Sequence, residues 1–126
     1  MRYLLDTTLL LDYVHEHPGA IRLLGELFSE WHELYSCDVV VCEALSGGSA
    51  VERRALRTLL DALEYVAVDP AAARWAAESR RVAREDGRRR GLGDALIAGL
   101  AVGLGATVVS RDRPDFARQG VPVREY

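Results

Sequence analysis

Four carboxylates stand where a polypeptide commonly builds chemistry. Asp6 comes directly after the short apolar run Tyr3-Leu4-Leu5, and Asp112 follows the second run Thr107-Val108-Val109-Ser110. Asp94 opens a segment rich in Ala and Gly that leads into that second run, and Glu43 lies inside Val39-Val40-Val41-Cys42-Glu43-Ala44-Leu45. Taken singly, each has an ordinary explanation. Asp6 and Asp94 fit helix N-caps, and Asp112 fits a turn. Glu43 is harder to place, because carboxylates are rarely buried without a partner. The chain contains no Lys, and no Arg falls within a helical turn of Glu43. A metal, an Arg from elsewhere in the fold, or exposure of that helix face must compensate it. Taken together the acids read differently. Four carboxylates sharing one crevice repel and raise each other's pKa, which is a poor structural device and a good site for a hard cation. Mg²⁺ takes oxygen ligands at about 2.0–2.1 Å and keeps several waters. One or two such ions can activate a water and stabilise the leaving oxygen of a phosphodiester.

The elements that must position these acids follow from the apolar periodicity. Residues 2–5 read as a buried strand and 7–15 as a helix behind it. Pro18 starts a second helix, and 33–37 is a second strand. A helix over 39–46, capped by Asp38, carries Glu43. A further helix over 50–63 turns Val51, Leu56, Leu59, Leu60 and Leu63 inward. Residues 65–68 are a third strand, and Asp69-Pro70 is a cap-plus-proline start for a helix reaching about Asp86. A loop over 87–93 leads to Asp94 and a helix ending near Leu104. Strand four is 107–110, residues 111–116 form a turn or one loose helical turn, and 121–123 form a last short strand. Strands alternate with helices, so the crossovers read as right-handed and the sheet as mainly parallel. The expectation is an α/β three-layer sandwich with helices on both faces, one domain over residues 1–126. Ligands of such sheets bind beyond the carboxyl ends of the strands.

Composition excludes several alternatives. The net charge is −3, so no global basic field marks a nucleic-acid binder. A phosphoacceptor receiver domain and a dehalogenase-like phosphatase each need a Lys, which this chain lacks. Cys37 and Cys42 make no metal spacing and read as small buried apolar residues of a reducing compartment. Asp6 and Asp12 break the first apolar segment, so neither a signal peptide nor a membrane span is expected, and the cytoplasm is the expected location. His15, His17 and His32 read as surface residues, and no pair is arranged for Ser or Cys nucleophilic catalysis.

Four stretches carry a family resemblance. They are Leu5-Asp6-Thr7-Thr8, then Glu43-Ala44-Leu45-Ser46-Gly47, then Gly93-Asp94-Ala95-Leu96-Ile97-Ala98, and last Val109-Ser110-Arg111-Asp112-Arg113-Pro114-Asp115-Phe116. The chain resembles, over nearly its whole length, the PIN-domain ribonucleases of the VapC toxin type, from bacterial and archaeal toxin–antitoxin pairs. The resemblance implies an endoribonuclease dependent on Mg²⁺ or Mn²⁺ that leaves a 5′ phosphate. It implies Asp6 and Asp94 as the principal metal ligands, with Glu43 binding through water or helping to deprotonate the nucleophile. Asp112 is the fourth acid, although the family often carries Asn there; Asp115, three residues on, is the alternative, and it is expected to serve the turn. Thr8 and Ser110 are the hydroxyls that orient the carboxylates.

Arg80, Arg81, Arg84, Arg88, Arg89 and Arg90 fall just before Asp94. They read either as a solvated helix face or, at Arg88, Arg89 and Arg90, as an edge that tracks RNA phosphates beside the acids. The resemblance also implies an antitoxin partner and a homodimer. The rival reading is a catalytically inactive module of the same fold that binds RNA or protein.

Overall fold

The apolar runs Tyr3-Leu4-Leu5 and Thr107-Val108-Val109 each hand over directly to a polar residue, Asp6 and Ser110. The computed structural model describes all 126 residues. In chain order the elements are β1 (Arg2–Leu5), α1 (Thr7–Val14), α2 (Pro18–Ser29), β2 (Glu33–Cys37), α3 (Asp38–Leu45), α4 (Ala50–Asp61), β3 (Glu64–Val66), α5 (Pro70–Glu85), α6 (Leu92–Leu104), β4 (Thr107–Val109), α7 (Arg113–Arg118) and β5 (Val123–Arg124). The five strands lie in the order β3-β2-β1-β4-β5, and every neighbouring pair is parallel.

That order fixes where a site can form. The chain winds outward from β1 through β2 to β3, then returns across the sheet to β4 and continues to β5. With right-handed crossovers, the outward and return connections lay their helices on opposite faces. They part between β1 and β4, which pair directly with Leu5 opposite Val109. The crevice at such a switch point is where open α/β sheets hold ligands. The residues that follow Leu5 and Val109 are Asp6 and Ser110.

The core explains the elements. Leu4, Leu5, Val108 and Val109 fill the centre of the sheet, with Leu9, Leu10, Leu24, Leu27, Leu56 and Ile97 brought against them by the helices. Asp69 caps α5 by accepting from the Ala72 N–H at 2.8 Å. The small-residue helix α6 packs closely on α5, because Gly99 leaves no room for a side chain: a Cβ there would stand 2.6 Å from the Ala72 carbonyl oxygen. Phe116, fully buried, anchors the short helix α7 and with it the turn carrying Asp112 and Asp115.

Several sequence expectations are corrected. The helical turn allowed over 111–116 spans residues 113–118 instead. Asp38 does not cap α3; its Oδ2 accepts from the Val68 N–H at 3.0 Å, and Cys37 holds the N-cap position with no side-chain bond. Cys37 is buried but Cys42 is exposed. Val51, in the first turn of α4 where the chain leaves the 46–49 loop, is 72% exposed rather than inward. Two histidines do structural work. His17 Nδ1 caps α2 by accepting from the Ala20 N–H at 3.2 Å, and the largely enclosed His32 packs edge-on against Tyr3 with ring centroids 5.0 Å apart.

Candidate active site

Asp6 is built in by the handover from β1 to α1. Its backbone N–H donates to the Val109 carbonyl at 3.1 Å, and its own extended backbone makes it the N-cap of α1. The side chain does more than cap. Oδ1 accepts from the Thr7 N–H at 2.8 Å, while Oδ2 accepts from Thr8 Oγ1 at 3.0 Å and from Ser110 Oγ at 2.7 Å. Only 4% of the residue is exposed. Burial pushes its carboxyl pKa up, and the bonds from Ser110, Thr8 and Thr7 act in the opposite direction. Ser110 is itself fully buried, and its Oγ also accepts from the Asp112 N–H at 2.9 Å. One hydroxyl therefore ties the acid after β1 to the loop after β4.

Glu43 projects from α3, and its Oε1 accepts from Thr7 Oγ1 at 2.8 Å. The residue is exposed, so the helix face it occupies is open rather than core. Oε2 turns toward the start of α6, where a Cβ on Gly93 would approach within 3.2 Å of it. Thr7 is a site hydroxyl that sequence reasoning passed over in favour of Thr8. Both reach carboxylates: Thr7 serves Glu43 and Thr8 serves Asp6.

Asp94 lies in the first turn of α6 and is partly buried. Its pKa is pushed up to about 6: burial is the largest cause, followed by the charges of Asp6, Asp112, Glu43 and Asp115, and no donor or cation offsets them. Single carboxyl oxygens of Asp94, Asp112 and Asp115 lie within 4.8 Å of one another. Burial also raises Asp112, as does the neighbouring Asp115 carboxyl. Asp115 thus joins the acids instead of serving only the turn. Helix α7, with Asp112 at its N-cap, brings residue 115 back beside 112. Asp6 and Glu43 stand outside the 4.8 Å group, yet both charges act on Asp94.

The donor set suits a divalent cation. It is all oxygen and supplied by carboxylates, the choice of hard ions. Arg118, 3.4 Å from Asp115, is the one guanidinium paired with any of the five acids. At the margin, Arg111 Nε pairs with Asp12 Oδ2 at 3.0 Å, and Tyr126 donates to the same oxygen at 2.6 Å, which ties the 110–112 loop to α1.

The arginines divide into tied and free. Arg81 pairs with Glu78 and Glu85, and Arg88 pairs with Asp86 at 3.1 Å. Arg90 donates to Ser79 Oγ at 2.8 Å, and burial followed by the Arg88 charge pulls its pKa down. A cleft of about 240 Å³ joins Arg88, Arg89 and Arg90 to Asp115 and Arg118.

Known proteins resemble this chain in sequence and fold. Residues 3–121 match the PIN domain family. Ribonuclease VapC19 of Mycobacterium tuberculosis is 30% identical over 113 residues, covering 90% of each chain. Two solved structures share the fold. VapBC2 from Rickettsia felis, bound to a DNA fragment from its promoter, has a TM-score of 0.85 at 22% identity, over 100% of this chain and 99% of that one. DNA-bound VapBC from Salmonella typhimurium has a TM-score of 0.80 at 24% identity, over 99% and 98%.

Proposed function

This chain belongs to the PIN domain family, and on that premise we propose that it is a metal-dependent endoribonuclease, the toxin of a toxin–antitoxin pair, acting as one nuclease domain over residues 1–126. The observation that carries the reading is the convergence of acids on Asp94, whose carboxyl is pushed to about 6 by burial and by four neighbouring carboxylates. Such a pocket is unfavourable alone and favourable around a cation. We assign Asp6, Glu43, Asp94 and Asp112 to the metal and catalytic set, and Mg²⁺ or Mn²⁺ as the ion. When bound, the ion supplies Lewis acidity, acidifying a water and neutralising charge on the phosphate.

The chain's own residues do the rest. Thr8 and Ser110 hold Asp6 Oδ2, and the Thr7 N–H holds Oδ1, so the carboxylate keeps one orientation. Thr7 fixes Glu43 through Oε1 and leaves Oε2 free to take a proton from the attacking water. Asp94 and Asp112, with raised pKa values, gain most from a positive charge placed between them. Arg88, Arg89 and Arg90 flank the acids on the side where substrate phosphates would run. VapBC-5 from Mycobacterium tuberculosis, which shares this fold, is a member of the VapBC family of toxin–antitoxin systems; we assign an antitoxin protein and a second copy of this chain as partners, and the cytoplasm as the location. No helix is long and apolar enough to cross a membrane.

The test is RNA cleavage with and without EDTA, alongside Mn²⁺ titration followed by melting temperature. Nicking together with Mn²⁺ stabilisation supports the enzyme. Stabilisation without nicking supports the inactive binding module.

A further inference from the structure

Beside the acids, Arg80, Arg84, Arg88, Arg89, Arg90 and Gly91 enclose a cleft of about 270 Å³ that contains no carboxylate in its lining. Guanidinium groups do not lose their protons in proteins, so five positive charges facing one small volume repel each other until an anion enters. Three of the five are committed to the wall. Arg80 Nε donates to the Arg90 carbonyl at 3.2 Å, Arg90 is held by Ser79, and Arg88 pairs with Asp86. Arg84 and Arg89 are exposed and make no ion pair, so their planar forks are available for a bidentate acceptor. The chain as a whole is acidic, which makes this basic cleft a local feature rather than part of a general field. The cleft is also continuous with the acids. Arg88, Arg89, Arg90 and Gly91 line the adjoining cleft too, and its far side carries Asp115 and Arg118.

We propose that the arginine cleft is a discrete subsite for a backbone phosphate of RNA flanking the bond that is cut, with Arg84 and Arg89 as the two side chains that grip it. The proposal rests on the RNA-cutting reading above and deepens it: the strand leaves the acids past Asp115 and Arg118 and places its next held phosphate between the two free guanidiniums. Arg84 and Arg89 are then residues that set substrate affinity without touching the reacting atoms.

The test uses the intact chain in EDTA, so that binding is read without cleavage. Fluorescence anisotropy of a labelled short single-stranded RNA gives Kd from about 50 to about 200 mM salt. Arg84→Ala with Arg89→Ala is compared with Arg54→Ala with Arg57→Ala, which removes equal charge from exposed positions on α4. The first pair is expected to weaken binding about tenfold or more and to reduce the magnitude of the salt slope by about 0.7, one phosphate on a single strand. The control pair is expected to leave the slope unchanged. Equal losses in both pairs, or none in the first, overturn the subsite. Wild-type protein that binds no RNA at any salt overturns the RNA reading as well. Wild-type binding that the Arg84 and Arg89 substitutions leave intact removes the subsite alone. Unchanged melting temperatures separate loss of a contact from loss of fold.

Discussion

Ser110 donates a 2.7 Å hydrogen bond to Asp6 Oδ2 across 104 residues of sequence, joining the ends of the paired strands β1 and β4. The bond converts sheet topology into site geometry. The same oxygen of Ser110 accepts from the Asp112 N–H, so the acids from both strands share one fixed point. Ser110→Ala is expected to lower stability in EDTA by about 1–3 kcal/mol, the range for removing a donor from a buried charged acceptor. Urea denaturation measures it; a loss below about 0.5 kcal/mol would mean that Asp6 does not depend on this bond.

The acids should make the metal-free protein less stable as pH rises. Asp94 moves from 3.8 in the unfolded chain to about 6 in the fold, so the folded state binds that proton more tightly. Stability is then fully present below about pH 4, falls as pH climbs through about 6, and levels off above. Asp6 and Asp112 are raised as well and act in the same sense. Denaturation in EDTA as a function of pH reads the slope. Asp94→Asn should flatten it and raise the melting temperature near pH 7 while removing cleavage. A variant no more stable than wild type would contradict the crowding of charge at Asp94.

Metal should reverse this penalty. Mn²⁺ at about a hundred times its Kd is expected to stabilise the fold by about 2.7 kcal/mol. The gain should be smaller near pH 5, where the acids hold protons, and smaller again in Asp94→Asn. Thermal melts with and without the ion make the comparison. Equal gains in wild type and Asp94→Asn would place the ion elsewhere.

Two glycines separate fold from site. Gly99→Ala sets a methyl group 2.6 Å from the Ala72 carbonyl oxygen, a backbone atom that cannot swing aside, and is expected to cost about 1–3 kcal/mol. Gly93→Ala meets the ends of Glu43 and Val39 at 3.2 Å, where side chains can give way. It should lower cleavage through Glu43 with little change in melting temperature. The reverse pattern would remove Glu43 from the site.

What the chain announced, and what it concealed, follows from the range of the forces involved. Asp6 and Asp112 were legible as candidates because each follows an apolar run, and a parallel sheet carries the ends of such runs to one edge. Asp115 was legible only as an alternative to Asp112, because one buried ring, Phe116, fixes how residues 113–118 coil, and no periodicity shows in six residues. Thr7 was concealed because Thr7 and Thr8 differ only in which way the first turn of α1 points them. Asp38 resembled a cap, but the Val68 N–H, 30 residues away, claims its carboxylate. The apolar neighbours of Glu43 left burial with a partner and exposure both open; α3 leaves its face open toward Gly93.

The most direct measurement is cleavage of an end-labelled RNA by the purified chain with Mg²⁺ or Mn²⁺, beside the same reaction in EDTA and with Asp6→Asn and Asp94→Asn. The account predicts 5′-phosphate ends from wild type with metal, and a loss of about a hundredfold or more in each of the other three reactions. Cleavage that survives EDTA and both substitutions would contradict it.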